Sequence, residues 1–332
     1  MGLLIEGQWR PGWYDTHKTG GRFIREDTRF HDRVSADGTS GYKAEPGRYH
    51  LYVSLACPWA HRTLIFRRLK GLDPVISLSV VDPFMGRDGW HFSDGPGCIP
   101  DTVNGCAYLH QVYTAARPDY SGRVTVPVLW DKHTGTIVNN ESAEIIRIFN
   151  TEFNAFTDVN TDFYPPDLRP RIDAWNERIY ETVNNGVYKA GFATTQAAYE
   201  EAFDALFNTL DELETVLGGQ RYLAGDVLTE ADWRLFTTLV RFDGVYYGHF
   251  KCNQRRVCDY RNLWAYVREL YQMPGIAQTV DLSHIKRHYY QSHDTINPTR
   301  IVPKGPALDF TAPHDRDRIA PARRPAASGG RA

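Results

Sequence analysis

Tyr49-His-Leu-Tyr-Val-Ser-Leu-Ala-Cys-Pro-Trp-Ala-His-Arg-Thr-Leu-Ile-Phe-Arg-Arg-Leu-Lys-Gly-Leu-Asp-Pro-Val75 is the stretch that decides the fold. From Tyr49 to Leu55 apolar residues alternate, with Leu51, Val53 and Leu55 on one face, which predicts a strand. Ile65, Leu69 and Leu72 then recur at helical spacing, and Gly71 is a candidate to close that helix. The run from Val75 to Val81 is rich enough in β-branched residues to be a second, buried strand. The unit is β-α-β, and Cys57-Pro58 occupies its strand-to-helix turn.

Downstream, Leu109, Val112 and Tyr113 suggest a helix, while Trp90 to Gly105 looks irregular. Val124 to Trp130 reads as a strand, Thr136 to Val138 as its hairpin partner and Ala143 to Phe149 as a helix. After Tyr164-Pro165-Pro166 the pattern turns helical, over about 168–186, 196–217, 229–242 and 261–272. Thr229-Glu-Ala-Asp232 reads as a structural capping box. The expected organisation is an N-terminal extension at 1–45, an α/β domain at 46–160, an all-helical domain at 167–295 and a C-terminal extension at 296–332. The first extension, rich in Gly, Arg and Asp without apolar periodicity, reads as an irregular arm laid over a core or as disorder, and shows no chemistry. The last is rich in Pro, Arg, Ala and Gly and is expected to end in disorder.

The 332 residues carry 38 Lys and Arg against 40 Asp and Glu, too even a balance to offer phosphates or anionic lipid a global field. Nucleic acid and membrane are therefore poor partners, and no apolar run approaches the length of a bilayer span. The first residues match neither a signal peptide nor a myristoylation motif. Five cysteines, an odd and scattered set, form no disulfide framework and fit a reducing cytoplasm. Cys252 and Cys258 lack the spacing and the partner pair that a structural metal needs, and no metal is expected.

Cys57 stands at a helix N-terminus, where unpaired N–H groups and the helix dipole favour a thiolate, while Pro58 at the first helical position loses nothing by lacking an N–H. Ala60 occupies the place of a resolving cysteine, so an external thiol must resolve any mixed disulfide. Pro127 interrupts the strand run as a cis proline would at a ligand-facing bend, exposing the Val126 amide and carbonyl to an extended peptide such as glutathione. Glu141 and Ser142 stand at the start of the next helix, placed to bind both ends of a γ-glutamyl group or simply to cap it. His61 shares the helix face of Cys57 without further ligands and is expected to face solvent.

These residues, with Asp88-Gly-Trp90, Arg123-Val-Thr-Val-Pro-Val-Leu-Trp-Asp131, Asn139-Asn-Glu-Ser142, Tyr188-Lys-Ala-Gly-Phe192 and the Arg241 to Lys251 run, make the sequence resemble the glutathionyl-hydroquinone reductases, the Xi class of glutathione transferases. The resemblance spans about residues 5–305. It implies a glutathione-transferase fold, a thioredoxin-like α/β domain followed by an all-α domain, and a cytoplasmic homodimer with glutathione as co-substrate. It implies Cys57 as nucleophile, and Trp90, Arg123, Val124, Thr125, Val126, Pro127, Glu141 and Ser142 as the glutathione site. Tyr188 would handle the proton, and Tyr246 and Tyr289 would favour the thiolate, with Tyr247 and Tyr290 adjacent alternatives. The implied reaction strips glutathione from glutathionyl-hydroquinones through a Cys57 mixed disulfide. The other readings are an omega-like thioltransferase or dehydroascorbate reductase and a non-enzymatic interaction scaffold.

Overall fold

The computed structural model describes residues 2–319. They form two compact units, one of residues 2–13, 26–160 and 279–302, the other of 14–25, 161–278 and 303–319.

In the first unit a hairpin of β1 (Gly2–Ile5) and β2 (Gln8–Pro11) is followed by two short paired segments, β3 (Val34–Ser35) and β4 (Tyr42–Lys43). Next come β5 (Tyr49–Val53), α1 (Pro58–Leu69), β6 (Ser77–Val80), α2 (Leu109–Ala116), β7 (Gly122–Arg123), β8 (Val128–Asp131), β9 (Thr136–Asn139) and α3 (Ser142–Thr151). The main sheet has the order β6-β5-β8-β9; β5 runs parallel to β6 and antiparallel to β8, which pairs antiparallel with β9. All five residues of β5 are buried, as befits an interior strand, and α1 packs on α3.

Buried polar groups in this sheet are answered. Arg48 grips Asp131 through Nε and Nη2 at 2.8 and 2.7 Å, and His50 lies between the Ser77 and Ser79 hydroxyls at 2.7 and 2.9 Å. Gly71, at φ +64°, ends α1 in the left-handed conformation, its N–H bonded to Arg68 O and that of Leu72 to Arg67 O.

Three sequence expectations are corrected here. Val124 to Trp130 is not one strand: it breaks between β7 and β8 at a cis Val126–Pro127 bond, and Tyr113 Oη donates to Thr125 O at 2.8 Å in place of a ladder bond. The N-terminal arm is not merely irregular, since β1 pairs with both β2 and β7 in a second sheet. Residues 279–302 group with this first unit, and with them α10 (Leu282–Ser292), which the sequence reading places in the helical domain.

The second unit is helical: α4 (Arg169–Ile179), α5 (Gly186–Gly191), α6 (Gln196–Gly219), α7 (Glu230–Arg241), α8 (Tyr247–His249) and α9 (Arg261–Gln272). The expected helices at 168–186 and 229–242 each run into a π-turn, Tyr180–Asn184 and Phe242–Tyr246, in which N–H groups bond five residues back, Asn185 to Tyr180 O and Tyr247 to Phe242 O. Thr229 and Asp232 form the expected capping box, and Asp232 also accepts from Leu223 N and Tyr266 Oη. Residues 303–319 are not a loose tail: Arg316 is fully buried, with Nε 2.7 Å from Glu269 Oε2, and Phe310 stacks on Tyr271. Of the tail from Ile301 whose composition suggests disorder, residues 320–332 lie outside the described part of the chain. No helix among the described residues is long and apolar enough to cross a membrane.

Candidate active site

Cys57 is the N-cap of α1, with extended backbone (φ −77°, ψ 121°) and Pro58 opening the helix. Its carbonyl accepts the first helical bond, from His61 N at 3.0 Å, and its N–H returns to Ser54 O. The sulfur therefore sits where the helix presents N–H groups, the surroundings that favour negative charge. Sγ lies 3.6 Å from Val126 O, so the nucleophile candidate and the cis Val126–Pro127 peptide meet in one place.

The other four thiols are poor nucleophiles. Burial pushes Cys98 up and Cys252 far up, while burial and Asp101 push Cys106 to about 11, and burial and Asp243 push Cys258 to about 12.

Around the cis peptide, Tyr113 Oη donates to Thr125 O and receives Thr125 N at 3.3 Å and Asn140 Nδ2 at 3.0 Å. Val124 and Val126 are buried, and Arg123 turns its Nε to Glu26 Oε1 at 3.1 Å. Glu141 is the N-cap of α3: Oε1 accepts from Ala143 N at 3.0 Å, and Oε2 from Thr28 Oγ1 at 3.3 Å. Ser142 follows, buried, its hydroxyl 3.4 Å from both Glu141 Oε1 and Arg62 Nη1. Asn139 and Asn140 carry roles that sequence reading missed. Asn139 Oδ1 holds the Glu141 N–H at 2.7 Å, and Asn140 fastens Tyr113 and, through Oδ1, Phe30 N. Their only sequence signal was membership of the Asn139-Asn-Glu-Ser142 run.

Trp90 is buried, and its carbonyl receives Leu109 N at 2.9 Å. The preceding Gly89 has φ +80°, and a Cβ there would meet the Trp9 ring at 2.8 Å, so this position of Asp88-Gly-Trp90 excludes side chains. Trp9 Nε1 also donates to Arg87 O at 3.2 Å, which gives the N-terminal hairpin a part in holding the Trp90 loop. His61 does not face solvent: it is fully buried, with Nε2 2.8 Å from Thr279 Oγ1, a partner too distant in sequence for local spacing to reveal.

In the second unit Tyr188 and Tyr246 come together, ring centroids 6.0 Å apart, among Phe192 and Phe250. The Arg25 guanidinium lies 5.2 Å from the Tyr188 centroid and its Nε is 3.0 Å from Asn185 Oδ1, so the arm thought devoid of chemistry places a cation on this tyrosine. Tyr289 belongs to the first unit, edge-on to His293 at 5.5 Å. Tyr246 and Tyr289 are buried, whereas Tyr247 and Tyr290 are partly exposed.

Comparison with known proteins shows the family. The glutathione S-transferase N-terminal domain family matches residues 56–152, and the C-terminal domain family residues 196–269. The chain is 58% identical to the glutathionyl-hydroquinone reductase YqjG of Escherichia coli, over 96% of this chain and 99% of that one. It is 57% identical to the glutathionyl-hydroquinone reductase PcpF of Sphingobium chlorophenolicum, over 92% and 97%. The solved structure of glutathione-bound YqjG superposes with a TM-score of 0.88 at 55% identity, covering 95% of this chain and 99% of that one. A Xi-class transferase from Natrialba magadii does so at 0.91 and 51% identity, covering 97% and 98%. With its thioredoxin-like and helical units, its cysteine-capped helix and this near-complete correspondence, the chain belongs to the glutathionyl-hydroquinone reductases, the Xi class of the glutathione-transferase superfamily.

Proposed function

We propose that this enzyme reduces glutathionyl-hydroquinones to hydroquinones with glutathione as reductant, Cys57 forming and releasing a mixed disulfide. The observation that carries the reading is the placement of the Cys57 sulfur at the N-terminus of α1, 3.6 Å from Val126 O, with Ala60 where a second thiol would otherwise resolve the intermediate.

In this scheme the glutathionyl peptide pairs with the Val126 backbone, and its γ-glutamyl carboxylate takes the Ser142 hydroxyl and the α3 N-terminus while Glu141 accepts from its ammonium. Arg123, Val124, Thr125 and Pro127 complete the cradle and Trp90 flanks the peptide. The Cys57 thiolate attacks the thioether sulfur. A sulfur–sulfur bond forms, the sulfur–ring carbon bond breaks, and its electron pair stays on the ring carbon, which takes a proton supplied through Tyr188. Tyr246 and Tyr289 are assigned the support of the thiolate. A second glutathione, as thiolate, then attacks the mixed disulfide, leaving glutathione disulfide and regenerating Cys57.

The test is mass spectrometry of the enzyme turning over a glutathionylated hydroquinone with excess glutathione. Free hydroquinone together with a transient glutathione adduct on Cys57 supports the cycle. Reduction of small mixed disulfides without hydroquinone release points instead to a thioltransferase.

A further inference from the structure

The α10 helix directs one face at the loop that carries Trp90. His284, His288 and Ser292 are spaced four apart, one helical turn each. His284 Nε2 is 2.7 Å from Pro96 O, His288 Nδ1 is 2.9 Å from Pro83 O, and Met85 N donates to Ser292 Oγ at 3.0 Å. Arg287 adds a longer ionic contact, 3.8 Å from Asp82. The loop from Asp82 to Pro96 has little regular structure of its own, so these contacts fix its path.

His288 does more than tether the loop. Its imidazole lies nearly parallel to the Trp90 indole, centroids 4.6 Å apart and planes inclined at 23°, and both residues are buried. A carbonyl oxygen accepts but cannot donate, so the bond to Pro83 O places a proton on Nδ1 and fixes the plane of the imidazole. A ring with a fixed plane gives the indole one stacking orientation. From the hairpin, Trp9 holds the chain just before it, against Gly89 and Arg87 O.

We propose that His288 is a positioning residue for glutathione: it sets the plane of Trp90, so that the indole meets the peptide already oriented rather than being ordered by binding. This rests on the reading of Trp90 as a glutathione contact. The benefit is in affinity, because ordering a side chain on association costs binding energy that a pre-set one does not lose. The sequence did not show it, because Trp90 and His288 lie far apart along the chain.

The experiment is a double-mutant cycle on glutathione affinity, measured by calorimetry on the full chain with Trp90→Ala, His288→Leu and the pair. His288→Leu keeps bulk but loses ring and donor; it is expected to weaken glutathione binding about five- to tenfold and to raise KM for glutathione, with kcat at saturation changed less than about twofold. The double variant is expected to bind no more weakly than Trp90→Ala, and His288→Phe, which restores a stacking ring, to recover most of the loss. If His288→Leu does not fold, His288→Gln, with a donor but no ring, is measured with the same expectation. Additive losses, or wild-type affinity in the His288 variant while Trp90→Ala is weakened, overturn the proposal and leave the Trp90 reading intact. Wild-type affinity in Trp90→Ala removes both.

Discussion

The Cys57 sulfur stands 3.6 Å from the carbonyl oxygen of Val126, the residue before the cis proline, so the thiol and the backbone edge read as the peptide-binding strand share one corner of the α/β unit. Replacing sulfur by oxygen there tests chemistry with little change of shape. Cys57→Ser is expected to bind glutathione within about threefold of wild type and to lose turnover by at least about a thousandfold, since a serine hydroxyl forms no comparable nucleophile at neutral pH. Steady-state turnover with calorimetric glutathione binding checks it, and substantial turnover in the serine variant would sink the assignment.

Selective alkylation offers an independent check. Burial holds Cys98, Cys106, Cys252 and Cys258 as neutral thiols at pH 7, and only thiolates react quickly. Iodoacetamide at pH 7 should therefore modify Cys57 first, with Cys106 and Cys258 gaining about tenfold in rate for each unit of rising pH until about 11 and about 12. Peptide mapping after brief exposure reads the order; equal labelling of Cys98 and Cys57 would contradict it.

Glu141 accepts from Ala143 N and so serves α3 as well as the proposed ammonium site. Glu141→Gln keeps an acceptor for the cap but loses the charge. Stability is expected to change by less than about 1 kcal/mol, while glutathione binds about ten- to a hundredfold more weakly, the scale of a hydrogen bond to a charged group. Urea denaturation and calorimetry separate the two effects; a large stability loss with unchanged affinity would leave Glu141 a plain cap.

His50 gives the first unit a dependence on acidity. Burial pushes its imidazole from 6.5 down to about 4, so between those values the unfolded chain binds a proton that the folded chain does not. The contribution is full near neutral pH and is lost as the pH falls, by about 2 kcal/mol at pH 5. His249 in the second unit is likewise held at about 4 by burial, so the readout is the difference between wild type and His50→Gln. Denaturation at pH 7 and pH 5 should show a shallower decline in the variant; identical declines would remove His50 as the source.

Local chemistry was the legible part of this protein. Cys57 as a helix cap, Pro127 as a cis bond, Glu141 at the start of α3 and Gly71 at the end of α1 each follow from one or two neighbouring residues. What depended on distant partners was not. His61 looked exposed because Thr279 lies more than two hundred residues on, and although Pro127 marked a bend in the run from Val124 to Trp130, the hydroxyl that takes the Thr125 carbonyl there belongs to Tyr113 and could not be read from the run itself. Arg316 sits in a stretch whose composition suggests disorder, yet the buried carboxylate of Glu269 holds it. The Asn139-Asn140 pair was visible as a motif, but its work of bracing Glu141 and Tyr113 was not.

The two π-turns bear on how tyrosines in the helical unit can be varied at all. A π-turn carries one residue more than the α-helical turn it replaces, and each residue in a helix advances the direction of side chains by about 100°. Tyr246 closes one such turn and Tyr188 follows the other. The extra residue is taken up within the turn, so the helix beyond it keeps its faces, with Tyr246 buried and Tyr247 partly exposed. Deleting a single residue from Phe242–Val245 would let an α-helical turn close in its place, a change of chain length that no substitution at either tyrosine can reproduce.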